Sequence, residues 1–344
     1  MATRRNFLKI AGLGVTAIAA APLLAACGGG DDDASSSGGV TDLKVQLSWI
    51  TDASFSQLYI ADSKGYLADE KVKLSLIPGG SDIGAIEGIV ASGAADVGMS
   101  TDITSLIAAI ADGNPLVCIG ALYQENLNAL MSDPAKPITS VAQLKGKKIG
   151  GNQGVQTKFD AMFKLAGLEP DYTFVPTGYG PDPLIKGDVD ALAVFVTDEA
   201  LAYQDTTGKA PTLLTFTEAG LPAYTEPIFV TTDTLKNKRD ALKGMLSALK
   251  KASADDIADP ALGAKLAVDQ YGKGNDLTLE HETEHNKAYV KFIESAATKT
   301  NGYLWVDPAE ISGPIVKGMK ASGLKTADVS KILDTSLLEE LKEG

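Results

Sequence analysis

The stretch Leu43-Lys44-Val45-Gln46-Leu47-Ser48-Trp49 decides the fold, because its apolar residues alternate with polar ones as in a half-buried β-strand. Apolar residues at helical spacing follow over residues 55–62, and a second strand is predicted over Val72–Ile77. Pro78-Gly79-Gly80 ends that strand before another helical pattern over residues 83–90. Repeated strand–helix units of this kind predict a mostly parallel sheet with helices on its outside.

A second series of strand–helix units begins after Met131, and beyond Asp233 the pattern is almost entirely helical. Further strands are predicted at residues 95–99, 147–150, 172–176, 191–196, 213–216 and 228–231. We therefore predict an α/β protein of two lobes, each a mostly parallel sheet flanked by helices, joined by two crossovers. The first lobe is expected to comprise residues 43–132 and 227–344, and the second residues 133–226.

The composition is that of an ordinary globular chain, with 344 residues, 44% apolar and 22% charged. Forty-four Asp and Glu against 31 Lys and Arg give a net charge of −13. This charge argues against a nucleic-acid partner, because phosphate binding needs a basic face. Two cysteines exclude a disulfide framework.

Residues 1–26 have the pattern of an export signal. Thr3-Arg4-Arg5-Asn6-Phe7-Leu8-Lys9 resembles a twin-arginine signal, and Leu24-Ala25-Ala26-Cys27 resembles the lipobox of bacterial lipoproteins. We therefore expect Cys27 to become the acylated, palmitate-bearing first residue of a lipoprotein, followed by a flexible tether over residues 27–42. The protein would then work outside the cytoplasm, held at the cell membrane. An ordinary secretion signal, with Cys27 incidental, is the alternative.

Four stretches, in this order along the chain, carry a family resemblance. They are Leu47-Ser48-Trp49-Ile50-Thr51-Asp52 with Lys64-Gly65-Tyr66-Leu67, Gly79-Gly80-Ser81 with Ala94-Ala95-Asp96-Val97-Gly98-Met99-Ser100-Thr101, Leu144-Lys145-Gly146-Lys147-Lys148-Ile149-Gly150, and Gly187-Asp188-Val189-Asp190-Ala191 with Thr197-Asp198-Glu199-Ala200. They are similar to motifs of the extracytoplasmic substrate-binding proteins of ABC importers, in the branch of thiamine-pyrimidine-precursor, riboflavin, sulfonate and nitrate binders. Asp198 and Ala200 stand where the pyrimidine and riboflavin members have Asn and Pro.

The resemblance implies a type II periplasmic-binding-protein fold. It also implies a small-molecule ligand and, as partners, the transmembrane permease subunits of an ABC importer. Closure of the lobes around the ligand is the expected mechanism, with Asp133-Pro134 and Glu226-Pro227 flanking the hinges. We expect a monomer that delivers a nutrient to its permease.

Ligands of open α/β sheets lie at the carboxyl ends of the strands. This rule selects as candidate substrate-binding residues Trp49, Asp52, Phe55, Gly79, Ser81, Ser100, Thr101, Tyr123, Gln124, Asn152, Gln153 and Glu199. The set holds no arginine, the usual partner of an oxyanion, whereas its aromatic rings and carboxylates suit a flat heterocycle with N–H groups. We predict a heteroaromatic nutrient of the thiamine-pyrimidine-precursor or riboflavin type. A sulfonate, taurine or nitrate-type anion is the alternative.

Each candidate also has a purely structural interpretation. Trp49, Phe55 and Tyr123 could be core residues, Ser81 and Thr101 could be helix N-caps, and the Asn152-Gln153 pair could serve turn chemistry alone. Glu199 opens a helix after a strand, where a carboxylate complements the helix dipole.

His281-Glu282-Thr283-Glu284-His285 matches the H-E-x-x-H pattern of zinc proteases. Its polar flanks predict an exposed helix start, and no later histidine completes a zinc site, so we expect no metal and no cofactor. Some members of the family with this fold are enzymes whose chemistry needs a reactive Cys or His near the cleft. Cys118 lies in an apolar run and both histidines lie in the helical tail, so we predict that the protein is not an enzyme. A zinc metallohydrolase is the distant alternative.

Overall fold

The computed structural model describes residues 39–343. The predicted export signal, the acylated Cys27 and most of the predicted tether lie outside the described residues. Within them, no helix has the length and apolar character needed to cross a membrane.

Ten strands form the two sheets of the described chain. In chain order they are β1 (Thr41–Gln46), β2 (Val72–Ile77), β3 (Val97–Met99), β4 (Leu116–Tyr123), β5 (Asn128–Ser132), β6 (Lys147–Gly151), β7 (Tyr172–Pro176), β8 (Ala191–Phe195), β9 (Thr212–Thr215) and β10 (Thr225–Thr231). β1 begins inside the predicted tether and ends before Trp49, so the alternation of residues 43–49 extends past the strand itself.

The two sheets have the same topology. The first has the strand order β2-β1-β3-β10-β4 and the second the order β7-β6-β8-β5-β9. In each sheet four strands run the same way, and the fifth, β10 or β5, is antiparallel to both of its neighbours. That antiparallel strand is in both cases the first one after the chain arrives from the other sheet.

Sixteen α-helices flank the sheets and form the carboxy-terminal part of the described chain. They are α1 (Ser56–Ser63), α2 (Tyr66–Asp69), α3 (Ile86–Ala91), α4 (Ile103–Ala111), α5 (Gln156–Leu165), α6 (Asp182–Ile185), α7 (Glu199–Thr207), α8 (Thr232–Asn237), α9 (Arg239–Ala258), α10 (Pro260–Leu266), α11 (Leu279–Tyr289), α12 (Ala296–Asn301), α13 (Pro308–Glu310), α14 (Val316–Ala321), α15 (Val329–Ile332) and α16 (Ser336–Glu343).

Each sheet has a hydrophobic core on both faces. In the first lobe, α4 buries Ile103, Leu106, Ile107 and Ile110, the apolar face that its helical spacing predicts. The opposite face of that sheet is covered by α1 and α9, whose apolar residues form a second cluster with β1. Burial on both faces is typical of α/β sheets of this kind.

The chain crosses between the sheets twice, and the two crossing segments lie side by side. The first runs between Tyr123 and Asn128, ahead of the predicted boundary at residue 132, because β5 belongs to the second sheet. Thr225 at the return donates its hydroxyl to the Glu125 carbonyl at 2.8 Å, and the Asn126 amide donates to the Leu221 carbonyl at 2.8 Å. The crossovers therefore form one hydrogen-bonded pair of segments.

Candidate functional site

Three pairs of side chains meet between the two lobes. Lys158 Nζ on α5 lies 2.8 Å from Asp102 Oδ2, at the start of α4. Trp49 follows β1 and Tyr179 follows β7, and the centroids of their rings lie 5.5 Å apart.

In the third pair, His281 Nε2 on α11 lies 3.6 Å from Oδ1 of Asp198, a residue that follows β8. The partners on the sheets follow the carboxyl ends of strands, as the strand-end rule predicts for the cleft.

Glu226 is a buried acid at the point where the chain returns to the first lobe. Its side chain is 5% exposed, and Oε1 accepts a 2.5 Å hydrogen bond from the Ser48 hydroxyl. Oε2 has no hydrogen-bond partner among the described residues. Burial, together with the nearby carboxylates of Asp52 and Asp102, raises the pKa of Glu226 to about 8. Its carboxyl group is therefore mostly neutral at pH 7 and can donate a hydrogen bond through Oε2.

The backbone of Glu226 has a φ of 50°, in the left-handed region that a residue with a side chain rarely adopts. Such a conformation persists only where the surrounding structure holds it, and functional sites are where it is most often found. Sequence reasoning identified Glu226 only as a hinge flank. Its position directly before Pro227 at a crossover was the only signal.

Glu199 begins α7 and is tied to its own strand. Its Oε2 accepts a 2.7 Å hydrogen bond from the backbone N–H of Phe195, the last residue of β8. Burial, and then the neighbouring Asp198 carboxylate, raise the pKa of Glu199 to about 7. This predicted site residue thus lies at the lobe interface, with one oxygen committed to the backbone.

Asp52 and Tyr123 are buried residues of the first lobe. The Asp52 carboxylate accepts a 2.9 Å hydrogen bond from the Ser54 N–H, as the N-cap of a short 3₁₀ turn. Burial raises the pKa of Asp52, although the nearby His285 opposes the shift. The Tyr123 hydroxyl donates to the Ser54 carbonyl at 2.6 Å. Tyr123 and Phe55 are both fully buried inside the first lobe.

The remaining predicted site residues in the first lobe serve local structure or face solvent. Ser100 donates to Glu87 Oε1 at 2.6 Å inside the lobe. Gln124 accepts from the Ser295 hydroxyl at 3.1 Å. Ser81 and Thr101 are exposed. Neither caps a helix, because α3 begins five residues after Ser81 and Asp102 caps α4.

The Asn152-Gln153 pair of the second lobe is also exposed, in the turn between β6 and α5. Gly79 has a different role, since a Cβ there would lie 2.4 Å from the Leu47 carbonyl oxygen. Only glycine lets the backbone approach that closely.

The H-E-x-x-H stretch is not the exposed helix start that its flanks predict. Glu282 and His285 on α11 are 2% and 5% exposed, because this helix packs against α10 and the 3₁₀ turn that follows Asp52. Glu282 Oε2 accepts a 2.7 Å hydrogen bond from the Ala53 N–H. The nearest ligand-type atoms of His281, Glu282 and His285 lie within 4.8 Å of one another. The flanking Glu280 and Lys287 are exposed, but Asn286 is buried and donates to Asp256 Oδ1 at 2.7 Å, so polar flanks did not indicate an exposed helix here.

The comparisons with known proteins agree with this architecture. A family model described as NMT1/THI5 like matches residues 52–262. The 4-amino-5-hydroxymethyl-2-methylpyrimidine phosphate synthase of Aspergillus parasiticus is 28% identical over 237 residues, which cover 64% of this chain and 68% of that protein.

Two solved structures have the same fold at low sequence identity. The periplasmic aliphatic sulphonate-binding protein of Escherichia coli superposes with a TM-score of 0.61 at 16% identity, over 85% of this chain and 92% of that one. The periplasmic nitrate-binding protein of Synechocystis superposes with a TM-score of 0.53 at 15% identity, over 88% of this chain and 89% of that one. The predicted two-lobed periplasmic-binding-protein fold is confirmed.

The prediction that the protein is not an enzyme is contradicted by the relatives. Five curated relatives, 25–32% identical, are named 4-amino-5-hydroxymethyl-2-methylpyrimidine phosphate synthase, and that name describes an enzyme. The prediction assumed that no histidine lies near the cleft, but His281 contacts Asp198 across the lobes. Cys118 is buried as expected, and burial raises the pKa of its thiol to about 12.

Proposed function

Since the chain belongs to the NMT1/THI5-like family, we propose that it binds a small heteroaromatic nutrient of the thiamine-pyrimidine-precursor or riboflavin type between its lobes. We place this binding outside the cytoplasm, where the protein serves an ABC importer as its substrate-binding component. The predicted export signal and acylated Cys27 would hold the protein at the cell membrane, next to the permease that takes the ligand.

The observation that carries the proposal is the buried carboxyl group of Glu226, whose Oε2 has no hydrogen-bond partner among the described residues. Burial raises the pKa of this group to about 8, which favours its protonated form at pH 7. A protonated carboxyl group offers an O–H donor beside a carbonyl acceptor. The edge of an aminopyrimidine offers the complement, a ring-nitrogen acceptor beside an amino donor. Oε2 of Glu226 is the free position in this pair, while Oε1 is already oriented by Ser48. Two such hydrogen bonds contribute about 1 kcal/mol each, and more where one partner carries charge.

Trp49 and Tyr179 provide the aromatic contact for the flat face of the ligand. They come from opposite lobes, and their planes are tilted by 57° to each other. A planar ring that stacks on either one gains about 0.5–1.5 kcal/mol beyond its burial. Because the two rings belong to different lobes, a ligand that contacts both favours the closed form.

The charge of the interface disfavours the oxyanion alternative. The Asp52 and Asp102 carboxylates both act electrostatically on Glu226, and the Lys158 ammonium is already paired with Asp102. A sulfonate or nitrate placed beside these acids would be repelled by each one that is ionised. A neutral or weakly basic heterocycle meets no such penalty.

The relatives' names favour a second candidate function, the formation of an aminopyrimidine phosphate. The observation on its side is the pair of histidines on α11, because imidazoles are the commonest groups for proton transfer near neutral pH. The same aminopyrimidine ring would then be held as product, so recognition by Glu226 is common to both candidates.

Calorimetric titration of the purified protein tests the proposal, with 4-amino-5-hydroxymethyl-2-methylpyrimidine, riboflavin, taurine and nitrate as ligands. Saturable binding of the pyrimidine or of riboflavin, with none of either anion, supports it. Binding of taurine or nitrate alone overturns it. Mass spectrometry of the ligand solution after incubation shows whether any of it is converted, which separates binding from the second candidate.

A further inference from the structure

We propose that His281, Glu282 and His285 form a binding site for a divalent transition-metal ion such as Zn²⁺, and that Asp198 of the second lobe completes it. This site goes beyond the proposed function and does not depend on which solute the cleft binds. Two imidazoles and two carboxylates make a ligand set that Zn²⁺ accepts in tetrahedral coordination.

The spacing on α11 brings the first three ligands together. His281 and His285 are one helical turn apart, and the centroids of their rings lie 5.6 Å from each other. Neighbouring ligand atoms around a tetrahedral zinc lie about 3.3 Å apart, given metal–ligand bonds of about 2.0–2.1 Å. Donor atoms within 4.8 Å therefore need to approach by at most about 1.5 Å, a distance that side-chain rotation covers.

His285 supplies an independent observation that points to a ligand. Its side chain is more than nine-tenths buried, and both ring nitrogens lack a hydrogen-bond partner among the described residues. Buried polar atoms are almost always satisfied, because an unpaired one loses its hydration without compensation. A metal bond to one of the two nitrogens would satisfy it.

Neighbouring groups fix the orientation of the metal ligands and give the site a negative potential. The Ala53 N–H holds the Glu282 carboxylate through Oε2 at 2.7 Å, in the way that hydrogen bonds commonly fix metal-ligating carboxylates. Asp52, Glu282 and Asp198 all act electrostatically on His285. Three carboxylates around two imidazoles create the negative potential that attracts a dication.

Because Asp198 takes part in the site, metal binding would favour closure of the two lobes. Its Oδ1 lies 3.6 Å from His281 Nε2, and it belongs to the second lobe, whereas α11 packs on the first. An ion bound to residues of both lobes stabilises the closed arrangement by its preference for that form. Without a metal, the His281 imidazole and the Asp198 carboxylate keep only their direct contact at 3.6 Å between the lobes.

The test uses the full chain, free of any histidine tag and treated with EDTA, in equilibrium dialysis against ZnCl₂ followed by elemental analysis. We expect one zinc per chain, and at least a tenfold weaker affinity in His281→Ala and in His285→Gln. Glu284→Gln is the matched control, because Glu284 on α11 is 59% exposed and pairs with Lys287 rather than with a residue of the site. Its zinc affinity should equal that of the unmodified chain.

Co²⁺ provides a second readout, since tetrahedral coordination by imidazole and carboxylate gives intense visible absorption bands, whereas octahedral surface-bound Co²⁺ absorbs only weakly. The variant Asp198→Asn should bind the ion more weakly. Addition of the metal to this variant should not reduce the radius of gyration measured by small-angle scattering. Substoichiometric zinc in the unmodified chain, or affinity unchanged in both histidine variants, would overturn the site. When the solute titrations are run in EDTA, failure of the metal site leaves the solute proposal standing, and the reverse also holds.

Discussion

Ser48 and Glu226 are joined by a 2.5 Å hydrogen bond although 178 positions separate them in sequence. Ser48 follows β1, and Glu226 is the second residue of β10, where the chain re-enters the first lobe. The bond therefore ties the strand end that carries Trp49 to the return crossover. Glu226 is thus both part of the crossover and the proposed hydrogen-bonding group for the ligand.

The variants Glu226→Gln and Glu226→Leu test recognition by the neutral acid. Glutamine keeps an N–H donor beside a carbonyl acceptor, so we expect its affinity for the pyrimidine to stay within about threefold of the original, whereas leucine should lose roughly tenfold or more. Because the pKa of Glu226 is raised to about 8, the affinity of the unmodified protein should fall as the pH rises above that value. Calorimetry between pH 6 and 9 measures both effects.

Glu226→Gln should also remove that pH dependence, since the amide does not ionise in this range. A variant that keeps the pH dependence would show that another group causes it. Equal affinities of the Gln and Leu variants would remove Glu226 from the binding site.

Stability should decrease with rising pH. Burial raises the pKa of Glu226 to about 8 and that of Asp256 to about 7, from ordinary values of 4.5 and 3.8. Each acid therefore binds its proton more tightly in the folded chain, and the resulting stabilisation is lost as the pH rises through these values. The lowered pKa of Asp102 acts only at lower pH. We expect a smaller free energy of unfolding at pH 8 than at pH 5, measured by urea denaturation.

The control for this trend is again Glu226→Gln, whose curve should be flatter than that of the unmodified chain. Glu284→Gln, at an exposed position, should reproduce the original slope. A folded state that is more stable at pH 8 than at pH 5 would contradict the assignment of neutral buried acids.

Lys158→Met should favour the open form. The substitution removes the ammonium that lies 2.8 Å from Asp102 between the lobes, while retaining most of the apolar side chain. A partly exposed pair of this kind contributes about 1 kcal/mol, which corresponds to roughly a fivefold shift in the ratio of open to closed forms. Small-angle scattering of the ligand-free protein should show a larger radius of gyration. Lys186→Met, which removes the exposed ion pair between Lys186 and Asp182 at α6, should leave the radius of gyration unchanged.

Gly79→Ala should destabilise the first lobe. The new methyl group would meet the carbonyl oxygen of Leu47 at 2.4 Å, and backbone cannot rotate away as a flexible side chain can. We expect a loss of about 1–3 kcal/mol in the free energy of unfolding. Gly88→Ala is the matched control, because a methyl group there meets no atom within 4 Å, and alanine in a helix gains up to about 1 kcal/mol. Equal unfolding midpoints in the two variants would refute the close contact.

The repeated elements of the fold could be predicted from sequence because they depend on local periodicity. The strands at Val72–Ile77 and Tyr172–Pro176 and the buried face of α4 follow from residues only a few positions apart. β5 was missed because its apolar residues follow β4 without a glycine or proline between them. Nothing local tells which sheet such a strand will join.

The site was harder to predict because its contacts join distant parts of the chain. The pairing of Lys158 with Asp102 and the burial of His285 both depend on how separate elements pack, and no spacing in the sequence reports that. Glu226 gained its raised pKa from burial at a crossover, which only the assembled lobes create. The strand-end rule selected Trp49 and Glu199, and the structure places both after the carboxyl ends of strands, because all such sheets share that geometry.

The central place of β10 in the first sheet imposes an order on biosynthesis. While the ribosome makes residues 128–215, the second sheet acquires all five of its strands, whereas β3 and β4 still lack the strand that will separate them. The second lobe can thus complete its sheet before the first lobe does. In the first sheet, the edges of β3 and β4 that pair with β10 stay unpaired until the ribosome has made Thr231. Unpaired edges are where wrong pairing begins. Nascent chains halted before β10 should therefore bind chaperones more strongly than chains halted after it.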